Sequence, residues 1–245
     1  RLKPGAARYA LDAALWDLEA KLAGKRAWEI AGIEVAPVIT VYTLSLAAPE
    51  QMELDARKHR NKPILKLKLG GAGDLQRVAA VRRGHPAARI IVDANESWDR
   101  AMYEAFVPEL LALGVEMIEQ PFPVQEDGIL KSLERPVTVC ADESCHDRKT
   151  LGALKDKYDM INIKLDKSGG LTEALAMKSQ AETLGFQVMT GCMLGSSLAM
   201  APALLVAQGS QLVDLDGPLL LADDCRPPLS FNGVQIYPPE KELWG

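Results

Sequence analysis

The chain has 245 residues, 48% of them hydrophobic, 25% charged and only 5% aromatic, with a formal net charge of −5. That balance gives no basic footprint for nucleic acid; no apolar run approaches the roughly 18 residues of a membrane span, and Arg1-Leu2-Lys3-Pro4 does not open like a signal peptide. Cys140, Cys145, Cys192 and Cys225 form no CxxC pair and only His59, His85 and His146 could join them, which argues against zinc and reads as buried thiols in a reducing, cytoplasmic compartment.

Residues 6 to 23 are rich in helix formers, Leu11, Ala14, Leu15 and Leu18 form an apolar stripe, and Gly24 supplies the stop. An amphipathic helix is predicted there. Strand-like runs then recur at Val38 to Ser45, Ile64 to Leu69, Arg89 to Asp93, Glu116 to Gln120, Thr138 to Asp142, Met160 to Leu165, Gln187 to Thr190 and Gln211 to Asp216. Helix-compatible segments fill most gaps: Pro49 to Arg60, Asp74 to Arg83, Arg100 to Leu113, Arg148 to Lys157, Leu171 to Leu184 and Ser197 to Gln208, with a shorter one at Glu126 to Leu133.

Strands alternating with helices imply parallel strands joined by right-handed crossovers, and eight of them close into a (β/α)7β TIM-like barrel. No linker divides the chain, so residues 1–245 read as one barrel domain: a leading helix over 1–24, the eight-stranded barrel over 38–216 and a tail over 217–245. The tail is rich in proline, with a hairpin expected near Phe231 to Val234. It has no barrel partner of its own, which suggests packing against another domain.

On the second strand Lys66 and Lys68 share one face, opposite Leu65, Leu67 and Leu69. Lysines defending an edge strand would explain this pair alone. A lysine held beside a second ammonium is also suited to take a proton from carbon. The following strands end in Asp93, Glu119, Asp142 and Lys164, each about 22 to 26 residues from the one before, which is about one βα unit. Three carboxylates in phase on one rim repel unless a hard cation joins them, and Mg²⁺ suits oxygen ligands with positions left open for substrate. Lys68 and Lys164, on the second and sixth strands of an eight-strand circle, would face each other with the carboxylates on the arc between. Such a site can remove an α-proton and stabilise the enediolate that results.

The motifs Lys66-Leu67-Lys68, Val92-Asp93-Ala94-Asn95, Ile118-Glu119-Gln120-Pro121, Cys140-Ala141-Asp142-Glu143-Ser144 and Asn162-Ile163-Lys164-Leu165-Asp166-Lys167-Ser168-Gly169-Gly170 resemble the enolase superfamily, muconate-lactonising subgroup. The resemblance implies one Mg²⁺ per chain on Asp93, Glu119 and Asp142, with Lys68 and Lys164 as paired acid and base. Val213-Asp214-Leu215-Asp216-Gly217-Pro218 is similar to the Asp-x-Asp signature of dipeptide epimerases, and two carboxylates on one strand face can bind the α-ammonium of an unblocked dipeptide. Val92 to Trp98 and Gly191-Cys192-Met193-Leu194 resemble the members that epimerise L-Ala-D/L-Glu in murein peptide metabolism, and by the same resemblance Thr43, Lys66 and Cys192 line the substrate pocket.

The expected reaction is a two-base 1,1-proton transfer at the α-carbon of the C-terminal residue, with a small dipeptide as partner, no nucleic acid and no membrane; a homo-oligomer is left open. Members of the family carry an N-terminal capping domain that reads the substrate side chain, and this chain is expected to be the barrel without it. Rivals are N-acylamino-acid racemase, o-succinylbenzoate synthase, muconate cycloisomerase, a Schiff-base aldolase using Lys164, and an inert metal-binding barrel. Gly70-Gly71-Ala72-Gly73 and Lys167-Ser168-Gly169-Gly170 lack the spacing of phosphate-binding loops, and His146 reads as a surface residue.

Overall fold

The computed structural model describes residues 2–245; Arg1, the first residue of the expected leading segment, lies outside the described residues. Eight strands form one sheet in chain order: β2 (Tyr42–Leu44), β3 (Ile64–Lys68), β4 (Arg89–Asp93), β5 (Val115–Glu119), β6 (Thr138–Ala141), β7 (Met160–Lys164), β8 (Gln187–Gly191) and β9 (Leu212–Asp214), given that β1 (Val38–Ile39) belongs elsewhere. All the pairings described within this sheet are parallel, and an unbroken sequential order is that of a (β/α) barrel. Helices α3 (Pro49–Lys58), α4 (Asp74–Gly84), α5 (Arg100–Ala112) and α8 (Leu171–Thr183) lie between strands as expected. No described helix is long and apolar enough to cross a membrane.

The chain clusters into two compact units. One comprises Val41–Cys145 and Gly152–Ile161; its core is aliphatic, with Leu65, Leu67, Ile90, Val92, Ile118 and Val139 fully buried. The other comprises the residues up to Thr40, His146–Leu151 and Asn162–Gly245.

Several expectations are corrected. The first predicted strand is two: β1 pairs antiparallel with β11 (Gln235–Ile236), itself paired with β10 (Phe231–Asn232), and only β2 joins the large sheet. The break falls at Thr40, whose backbone N–H is committed to Val234 O at 2.9 Å. The expected helix over Arg148 to Lys157 shrinks to α6 (Leu151–Leu154) because Asp147 competes for the local amides: its side chain accepts from Lys149 N and its carbonyl from Thr150 N and Thr150 Oγ1. The expected helix over Ser197 to Gln208 splits into α9 (Ser197–Met200) and α10 (Ala203–Ala207) at Pro202, which has no N–H to continue the ladder. Glu126 to Leu133 forms a 3₁₀ turn over Asp127–Ser132, and α2 (Ala27–Ala31) and α7 (Leu165–Ser168) are additional short helices.

Helix α1 (Ala6–Ala23) has the predicted bounds and ends at Gly24, with φ 62° in the left-handed region where glycine is favoured. Its leucine stripe, however, faces out: Leu11, Leu15 and Leu18 are 51%, 55% and 53% exposed. The inner face is Tyr9, Asp12, Ala13, Trp16 and Ala20, packed by hydrogen bonds from Trp16 Nε1 to Thr172 Oγ1 and from Thr172 N to Asp12 Oδ2. The tail also departs from expectation. It folds back on its own unit, where Trp244 Nε1 donates to Ala13 O, Gly245 N to Asp17 Oδ1, and Arg26 donates to the carbonyls of Pro239, Trp244 and Gly245.

Candidate active site

Lys68, Asp93 and Glu119 are the last residues of β3, β4 and β5, and they are direct register partners across those strands. Because side chains alternate along a strand, the rung that joins them also turns all three to one face, and Lys66, two residues earlier, joins that face. Lys68 Nζ donates to Asp93 Oδ2 at 2.6 Å. Lys66 Nζ lies 3.2 Å from the same oxygen and 2.7 Å from Glu119 Oε2. Lys66 is buried at 2% exposure and both carboxylates are fully buried, whereas the Lys68 side chain is 34% exposed and accessible. Burial pushes the Asp93 carboxyl up, but Lys66 and Lys68 outweigh it and hold the group below the usual carboxylate range, against a smaller upward push from Asp142.

Asp142 follows directly on β6 and is buried. Around it the loops are strained and polar: Asn95, Glu96 and Gln120 have φ of 44°, 63° and 36° without being glycine. Asn95 N donates to Asp93 Oδ1 at 3.1 Å and Asn95 Nδ2 to Glu143 Oε1 at 3.4 Å. Burial pushes Glu143 up, and the carboxylates of Asp142 and Asp93 add to it. Burial beside Glu119 and Asp142 likewise pushes the Cys140 thiol well up, so that cysteine is an inert thiol, as expected. None of the four cysteines is in a disulfide. His146 is exposed, also as expected.

This neighbourhood fits a hard cation by its chemistry. Its donors are carboxylate oxygens, and their mutual repulsion, felt at Asp93 and Glu143, is what a divalent charge offsets. Among the described residues, however, no three acidic, histidine or cysteine side chains are gathered closely enough to hold a metal ion as they stand. The Lys66 ammonium lies against both Asp93 and Glu119 instead.

In the other unit, Lys164 is the last residue of β7 and is buried, and Asp166 on α7 is pushed up by burial, with Lys164 opposing the shift. Asp214 ends β9 in register with Gly191, the last residue of β8. A side chain at Gly191 would meet the amide of Asn162 at 2.4 Å, so it would have to displace that fully buried amide. Asp214 and Asp216 are buried at 5% and 3% exposure. Between and around them Thr40 acts as a strap: its hydroxyl donates to Val213 O at 3.4 Å and accepts from Leu215 N at 2.8 Å. Cys192 is half-buried just past β8, and in the first unit Thr43 on β2 is half-buried and in register with Lys66.

The strand-end residues were thus legible from spacing, whereas Thr40 was not, since a lone threonine in an apolar run carries no signal. Gln120 belongs to a motif already quoted, but its position next to Glu119 was the only hint of its role.

The sequence profile of the family described as "Enolase C-terminal domain-like" matches residues 51–241. The chain is 43% identical over 244 residues to an N-acetyl-D-glutamate racemase from Pseudoalteromonas sp, covering 100% of this chain and 78% of that protein. It is 44% identical over 239 residues to the L-Ala-D/L-Glu epimerase of Escherichia coli (strain K12), covering 96% and 74%. Among solved structures, an enolase family member from Agrobacterium tumefaciens with homology to dipeptide epimerases, bound to sodium and L-Ala-L-Glu, superposes with a TM-score of 0.97 at 53% identity, covering 100% of this chain and 75% of that one.

Proposed function

Since the chain belongs to the enolase C-terminal domain-like family, we propose that it is a dipeptide epimerase, an isomerase that inverts the α-carbon of the C-terminal residue of L-Ala-D/L-Glu by two-base proton transfer. The observation that carries this reading is the rung of Lys68, Asp93 and Glu119, an accessible amine in register with two fully buried carboxyl groups.

Asp93, Glu119 and Asp142 are the residues that would hold Mg²⁺, which when bound supplies positive charge to offset what builds on the substrate carboxylate as the α-proton leaves. Lys68 Nζ, the accessible amine of its pair, takes or returns the proton on one face of the α-carbon, and Lys164 Nζ serves the other. Lys66 holds Asp93 and Glu119 in place and favours the charged form of Asp93. Asp214 and Asp216 accept from the free α-ammonium, and Thr43 and Cys192 line the pocket. Murein peptide breakdown in the cytoplasm, where free thiols persist, would supply such a dipeptide.

A second reading, racemisation of an N-acetylated amino acid, is favoured by the similarity to the N-acetyl-D-glutamate racemase. The paired Asp214 and Asp216 favour the dipeptide, because an acylated nitrogen offers no ammonium. Proton NMR in D₂O with Mg²⁺ separates the two: α-proton exchange in the glutamyl residue of L-Ala-L-Glu is expected, and exchange in N-acetyl-L-glutamate alone overturns the dipeptide reading.

A further inference from the structure

Gln120 follows directly on Glu119, carries a left-handed φ of 36°, and is fully buried. Its own N–H continues the strand ladder to Cys140 O at 2.9 Å, so β5 and β6 stay in step through it. The side chain is saturated at both ends. Nε2 lies 2.9 Å from each of Phe122 O, Ser144 Oγ and Tyr158 Oη. Oε1 accepts the backbone N–H of Asp142 at 2.9 Å and that of Ser144 at 3.2 Å.

The direction of this amide is set by a buried charge one step away. Asp127, at 3% exposure, pairs through Oδ1 with Lys157 Nζ at 2.6 Å, and its Oδ2 accepts from Ser144 Oγ at 2.7 Å and Tyr158 Oη at 3.1 Å. A carboxylate can only accept, so both hydroxyl protons are spent on Asp127 and both oxygens are left to accept from Gln120 Nε2. The nitrogen end of the amide must therefore face the hydroxyls. Its carbonyl end must face the two backbone N–H groups, where a reversed amide would set donor against donor.

We propose that Gln120 is a positioning residue for the metal-binding carboxylates: its side-chain carbonyl, oriented by Asp127 through Ser144 and Tyr158, fixes the backbone at Asp142, while its own backbone follows Glu119. This rests on the reading of Asp142 as a metal ligand. Residues that hold ligands in place commonly weaken metal binding 10–100-fold when removed. Gln120 could matter for stability alone, so the test needs a variant that costs stability without freeing Asp142. Leu110→Ala is that variant, since Leu110 is fully buried on α5 and, being apolar, takes no part in this hydrogen-bond network.

The experiment is Mg²⁺ titration of the full chain by calorimetry, with thermal melts in chelator alongside. Gln120→Met is expected to bind Mg²⁺ about 10–100-fold more weakly, and Leu110→Ala to melt lower but bind within about threefold of wild type. Gln120→Met binding like wild type, while Asp142→Asn abolishes binding, overturns the positioning role and leaves the metal reading standing. Asp142→Asn binding like wild type overturns both. Should Gln120→Met fail to fold, hydrogen exchange on the wild-type chain decides: slow exchange of the Asp142 and Ser144 amides before any metal is added supports the proposal, and exchange that slows only with Mg²⁺ overturns it.

Discussion

Replacing Lys66 by methionine keeps a side chain of similar length and removes one positive charge from beside two fully buried carboxylates. At contacts of 2.7 and 3.2 Å and an effective dielectric of about 20, each attraction is roughly 5–6 kcal/mol before the cost of taking the charges out of water is subtracted. That cost is large, and breaking one side of a buried pair has a net penalty of about 3–5 kcal/mol because the partner charge stays behind. For a chain of this size the penalty corresponds to about 6–20 °C in melting temperature. The same substitution leaves Asp93, Glu119 and Asp142 less compensated, so a divalent cation should bind the folded state more favourably and recover part of the loss. The assay is a pair of thermal melts, one in chelator and one in millimolar Mg²⁺, on wild type and Lys66→Met. The reasoning requires a large drop in chelator and a larger Mg²⁺-induced rise in the variant than in wild type. A drop of less than about 3 °C in chelator, or an equal rise in both proteins, refutes the placement of Lys66 as the cation that holds these carboxylates.

Asp93→Asn, Glu119→Gln and Asp142→Asn are each expected to abolish epimerisation with the chain still folded by circular dichroism; full activity after exhaustive chelation contradicts the metal assignment. Asp216→Asn should cost on the order of 1.5–3 kcal/mol in kcat/KM for L-Ala-L-Glu and little for N-acetyl-L-glutamate, since only the first carries an ammonium; equal losses defeat the Asp-x-Asp reading. Lys68→Ala and Lys164→Ala should each stop interconversion of epimers yet leave solvent exchange of the α-proton in one epimer, opposite for the two variants; either variant still racemising near the wild-type rate rules out a two-base mechanism. Asp93 titrates below its ordinary 3.8 once folded, so the stability it contributes is complete above that value and is lost as pH falls through the lowered one. Acid unfolding of chelated Lys66→Met, followed by circular dichroism, should therefore begin at higher pH than in wild type.

The amino-acid sequence alone makes the spacing of the strand ends legible. Lys68, Asp93, Glu119 and Lys164 were readable because each closes a short apolar run, and period-two alternation then places side chains on a face without knowledge of the neighbouring strands. It also determined where α1 begins and ends, but not which way it faces. Both the leucine stripe and the stripe of Tyr9, Asp12, Ala13, Trp16 and Ala20 have helical period, and the second is inside because its small and hydrogen-bonding side chains meet Thr172 and the returning tail. The same limit applies at Thr40, Asp147 and Gln120. Each was an ordinary polar residue until the fold brought a distant backbone group within hydrogen-bond reach or let a local turn win over a helix. Local periodicity determines which residues share a face. Which face is buried, and which way a buried amide points, depends on partners as far apart in the chain as 22 positions at Gln120 and 231 at Ala13, and only the tertiary structure supplies those.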